Sequence, residues 1–60
     1  MRYVIKNSLG SYLEIGNDML SIWTINREKA LYLTYERAFD IVISLNFVYK
    51  YKIMFIIESI

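Results

Sequence analysis

Apolar and polar positions alternate at the start of the chain. In residues 2–7, Tyr3 and Ile5 fall on one side and Arg2, Val4 and Lys6 on the other, the period of a half-buried strand. Asn7-Ser8-Leu9-Gly10 then places Asn at the first turn position and Gly where φ must become positive, which predicts a type I turn closing a hairpin. Alternation resumes over residues 11–15, with Leu13 and Ile15 opposite Tyr12 and Glu14, and Gly16-Asn17-Asp18 reads as a second turn. Residues 19–25 form a third alternating run, with Leu20, Ile22 and Thr24 against Ser21, Trp23 and Ile25.

The middle admits two readings. Asn26 can cap one helix running as far as Leu45, but that would put Leu33 among Glu36, Arg37, Asp40 and Ser44 on the wet face. The alternative makes residues 27–30 a single helical turn and residues 31–33 a short extended piece. Thr34 is then the N-cap, with Glu36 in the first turn. The burial of Leu33 favours the break, although strand and helix both stay open for Leu31-Tyr32-Leu33.

Over residues 35–45 the helical wheel separates cleanly. Tyr35, Ala38, Phe39, Ile41, Val42, Ile43 and Leu45 span an arc of about 200°, twice the stripe needed to rest on one sheet. The excess predicts cover on a second side, and Asn46 is the expected stop. Residues 48–59 read as the last strand. They alternate Tyr49 and Tyr51 with Lys50 and Lys52, then turn apolar on both faces through Ile53, Met54, Phe55, Ile56 and Ile57. Such a strand is expected mid-sheet, with the helix on one face and a second chain on the other, because left exposed it would aggregate. The predicted architecture is α+β, in the order β-β-β-α-β, an antiparallel sheet with one amphipathic helix on one face. Residues 1–60 make one small domain.

Composition sharpens the question of cover. Hydrophobic residues are 57% of the 60, with ten Ile and ten aromatics, more than so small an interior can hold. Burying about 60% of the unfolded surface contributes on the order of 90 kcal/mol, and ordering 60 residues costs about the same. A domain so balanced gains from a partner or a second copy. The expected self-association residues are Phe39, Ile43, Phe55 and Ile57. Trp23, Tyr49, Lys50, Tyr51 and Lys52 are the expected partner-binding set, Trp and Tyr being suited to interfaces. Tyr3, Tyr12, Tyr32, Tyr49 and Tyr51 are expected to share an aromatic surface if alternation holds.

The chemistry that the chain lacks narrows its class. With no Cys, His or Pro, thiol and imidazole catalysis and Cys/His zinc sites are excluded. Gly10 and Gly16 alone make no phosphate loop, and the serines have no His to activate them. Glu36 and Asp40, at i and i+4 with Arg37 between them, read as a solvated helix face rather than a cation site. No enzyme and no cofactor is expected. A net charge of +1 offers little to nucleic acid, yet Lys50, Lys52, Arg2 and Lys6 on paired strands keep a nucleic-acid binder as the alternative function. Residues 1–6 lack the apolar core of a signal peptide, and residues 41–57 carry two lysines in a stretch short of the ~20 apolar residues of a bilayer span. A cytoplasmic protein is expected, with a membrane-active peptide as the remote alternative.

The order of features also carries a resemblance. An opening Tyr3-Val4-Ile5-Lys6 strand, a Gly turn before Tyr12-Leu13, then Trp23-Thr24, Lys29-Ala30, Leu33, Thr34 and Ala38, and an Ile-rich final strand, is similar to very small accessory or early proteins of bacteriophages from AT-rich Gram-positive hosts. The likeness spans nearly the whole chain and consists of spaced apolar and turn positions without a catalytic motif. It implies a non-enzymatic early or accessory protein, of a kind of which some act as inhibitors that occlude a host or defence protein in the host cytoplasm. No functional residue transfers from it, and the expected homodimer rests on the apolar surplus instead.

Overall fold

Asn7 organises the first turn. Its Oδ1 accepts the N–H groups of Leu9 at 2.9 Å and Ser11 at 3.0 Å, while its carbonyl accepts the Gly10 N–H at 3.1 Å. Gly10 takes φ +88°, and a Cβ there would meet nothing, so the glycine serves the backbone angle and not a lack of space. The structure, a computed structural model, describes residues 2–16 and 21–60. The expected turn at Asn17-Asp18 and the Met19-Leu20 start of the third strand lie outside the described residues.

The turn joins β1 (Tyr3–Asn7) to β2 (Tyr12–Gly16), followed by β3 (Ser21–Thr24), a 3₁₀ turn (Arg27–Lys29), α1 (Tyr35–Tyr49) and β4 (Phe55–Ser59). The sheet is antiparallel in the order β3-β2-β1-β4. The β-β-β-α-β fold is therefore as the sequence pattern indicates, but β4 is an edge strand and not a central one. β1 takes the centre beside it, which explains why Val4 and Ile5 are both fully buried although they point to opposite faces.

One core lies between the sheet and α1. Ile5, Leu13, Ala38 and Leu45 form its centre, with Leu33, Ile41, Val42, Phe55 and Ile57 around them. Ile15 does not join Leu13 there. The register of β2 on β3 shifts between Leu13↔Trp23 and Ile15↔Ile22, a bulge that absorbs Glu14 and turns Ile15 to the outer face. Simple alternation predicts the opposite side for this residue.

The broken middle is what forms. Asn26 Oδ1 caps the 3₁₀ turn by accepting the Glu28 N–H, and Thr34 Oγ1 caps α1 by accepting the Arg37 N–H at 3.3 Å. Between them, the Leu31 N–H donates to the Leu13 carbonyl and Leu33 bridges to Tyr3, so this piece fills the gap where β1 and β2 diverge beyond Lys6↔Tyr12. The connection thus passes from the outer face, where Arg27 meets Glu58 at 3.2 Å, to the helix face, where Leu33 joins the core.

Asn46 does not stop the helix. α1 continues to Tyr49, because Val42, Leu45 and Tyr49 extend one buried row and packing outweighs the weak helix preference of Asn. Lys50 (φ 54°) and Tyr51 (φ 62°) then turn the chain through two left-handed residues. Residues 49–52 are therefore a helix end and a turn, correcting the strand expected from residue 48 onward.

Candidate functional site

α1 presents two different apolar rows. Ala38, Val42, Leu45 and Tyr49 face the sheet. Tyr35, Phe39, Ile43 and Phe47, each four residues after the last, form a ridge beside that row and remain exposed: Phe39 by 48%, Ile43 by 53% and Phe47 by 82%. Tyr35 and Phe39 stack at 6.3 Å, and Tyr35 meets Tyr3 edge-on at 5.3 Å, so the ridge is ordered from its N-terminal end. The extra width of the helical wheel is real, and among the described residues nothing covers it. The chain exposes 4561 Å² against roughly 4,100 Å² expected of a folded chain of this mass.

The direction of this ridge follows from handedness. α1 lies on β1 and β4, parallel to β1, with Tyr35 over Tyr3 and Tyr49 against Phe55 at the other end. A right-handed helix in that position turns Phe39 and Ile43 outward past β4 and away from β2. The ridge therefore flanks the open edge of the sheet. Ile56, on the opposite face of the same strand, and Met54 and Ile60, which flank the strand, are exposed as well. Exposed apolar side chains thus line both faces of one edge.

The other expected site residues are dispersed. Phe55 and Ile57 are half-buried and point into the core. Trp23 stacks on Phe55 at 5.6 Å and Tyr49 leans on its other side at 5.5 Å, closing one end of that core. An open cleft of about 240 Å³ beside this trio is lined by Asn7, Leu9, Ser11 and Ile53. Asn7 is already engaged in its turn and offers the cleft no spare acceptor. Lys50, Tyr51 and Lys52 stand exposed after the helix.

The Lys and Tyr strand face anticipated from the sequence does not exist. Arg2 and Lys6 lie on the outer face, each over a tyrosine ring: Arg2 over Tyr32 at 5.6 Å and Lys6 over Tyr12 at 5.7 Å. Lys50 and Lys52 sit instead in the turn after α1, so the four cations are split between two regions. The tyrosines are divided in the same way, with Tyr3 beside α1, Tyr12 and Tyr32 on the outer face and Tyr49 in the core. Among the described residues, no three Asp, Glu, His or Cys side chains gather as a metal ligand set would require, and no helix is long and apolar enough to cross a membrane.

No family model matches the chain, and no curated protein or solved structure is similar to it.

The open β4 edge itself was hidden from sequence reasoning. Its signal was the pairing of β1 with β4, which no local pattern carries.

Proposed function

We propose that this chain is a non-enzymatic protein-binding module of the cytoplasm, and that it acts by covering a surface of its partner. The observation that supports the reading is the exposed Tyr35–Phe39–Ile43–Phe47 ridge, a row of large apolar groups held rigidly on a helix whose other face is committed to the core. Rigid aromatic and aliphatic rows of this kind are what interface cores are made of. An inhibitor that occludes a host or defence protein is the form of this function that the phage resemblance implies. The split of Lys50 and Lys52 from Arg2 and Lys6 takes away the single platform that a nucleic-acid binder would use.

The test is a photo-crosslinking phenylalanine analogue at Phe47 in producing cells, with Ser44 as the control position. Discrete protein adducts from position 47 and few from 44 are expected. Adducts to lipid or nucleic acid alone, or none from either position, would overturn the reading.

A further inference from the structure

We infer that two copies of this chain join along the open edge of β4, antiparallel about a two-fold axis at Ile57, to form one continuous sheet with both α1 helices on the same face. This rests on the protein-binding reading and names the first partner as a second copy.

The backbone supplies the edge. The Ile60 N–H donates to the Arg2 carbonyl and the Ser8 N–H to the Met54 carbonyl, so the hydrogen-bonded positions of β4 toward β1 are even-numbered. The peptide groups of Phe55, Ile57 and Ser59 consequently face away from β1, toward the open side. β4 pairs with β1 in an unbroken register over all five of its residues. The opposite edge, β3, lies beside the Glu14 bulge, a device that twists edges out of pairing.

The sequence of β4 is self-complementary in this register. With Ile57 opposite Ile57 of the second copy, Phe55 lies opposite Ser59, Met54 opposite Ile60, and Ile56 opposite Glu58. The exposed Met54 and Ile60 then cover one another on the outer face. On the other face, α1 lies above β1 and β4, and strands are ~4.8 Å apart. The two-fold therefore places the helix axes about 10 Å apart near their middles, within contact distance for packed helices. Phe39 and Ile43, which point past β4, meet their counterparts there. The helices run antiparallel, which brings Glu36 at the start of one toward Lys50 at the end of the other, so the charges agree with the packing. Arg27 reaches the edge at the Ser59 carbonyl, at 3.4 Å, but a carbonyl can accept from Arg27 and from Phe55 of the second copy together.

Substitutions at Ile56 separate this arrangement from other modes of association. Within one chain, residue 56 lies opposite Lys6, so Glu suits the folded monomer and Lys does not. Across the inferred edge it lies opposite Glu58, and the preference reverses. Light scattering after size exclusion should give twice 7.2 kDa for the native chain. Ile56→Glu should weaken the dimer about tenfold or more while still melting cooperatively, whereas Ile56→Lys should keep the doubled mass. Ser59→Pro, which removes an edge N–H and no bond to β1, should also give monomer. A native monomer at high micromolar concentration, or a dimer indifferent to both Ile56→Glu and Ser59→Pro, overturns the inference. A monomer that still gives discrete adducts at position 47 overturns the edge pairing alone. Loss of both overturns the function on which it rests.

Discussion

Leu33 and Tyr3 form a closed backbone pair: the Tyr3 N–H donates to the Leu33 carbonyl at 2.9 Å, and the Leu33 N–H to the Tyr3 carbonyl at 2.8 Å. This bridge stands one residue before the Thr34 cap and fixes where α1 begins. The amides of Tyr3 and Leu33 should therefore exchange with solvent as slowly as those of the central strand. Native-state hydrogen exchange checks this, and exchange at the rate of an unprotected peptide amide would show that the bridge opens independently.

Loss of the Thr34 hydroxyl tests the same boundary. Thr34→Ala leaves the Arg37 N–H without its acceptor and should cost about 1 kcal/mol, read from chemical denaturation. No loss would mean that the bridge alone sets the helix start.

Two backbone substitutions should move stability in opposite directions. Lys50 occupies the left-handed region at the end of α1, so Lys50→Gly should stabilise by roughly 0.5–1 kcal/mol. Gly10→Ala should destabilise by about 1 kcal/mol or more despite the empty space around it, because φ +88° is the constraint. Thermal unfolding should show shifts of several degrees for a domain of this size.

Leu13 and Ile15 are equivalent in a simple alternating strand and different in the bulged one. Leu13→Ala should cost about 2–5 kcal/mol, enough to unfold much of so small a domain. Ile15→Thr, on the outer face opposite Ile22, should cost about 0.5 kcal/mol or less. Similar losses at both positions would place Ile15 back in the core.

Phe55 is held between Trp23 and Tyr49, so Phe55→Ala should remove about 3 kcal/mol and expose Trp23 to water. A red shift of Trp23 fluorescence together with early melting is the expected signature. An unchanged spectrum in a folded variant would show that the stack contributes little.

Much of the fold was legible because its punctuation is local. Asn7 and Gly10 define a turn through their own side chain and φ, and Thr34 caps a helix three residues ahead. What escaped was set at long range. The wheel of α1 correctly marked Phe39 and Ile43 as surplus, but Asn46 could be read as a stop only in ignorance of Tyr49 packing on Phe55. Tyr49 to Lys52 alternates like a strand, yet the left-handed pair at Lys50 and Tyr51 breaks it. The Glu14 bulge and the edge position of β4 leave no periodic mark, since both are decided by the neighbouring strand.

Pairing of β1 with β4 joins residue 3 to residue 59. A ribosome releases the first of these long before it has made the second, and until then β1 lacks its main neighbour. The central sheet therefore cannot close until residue 59 has been made, and its closure joins strands far apart in sequence. Folding should accordingly be slower than that of helical proteins of equal length, and the nascent Tyr3-Val4-Ile5 segment must wait unpaired in the meantime.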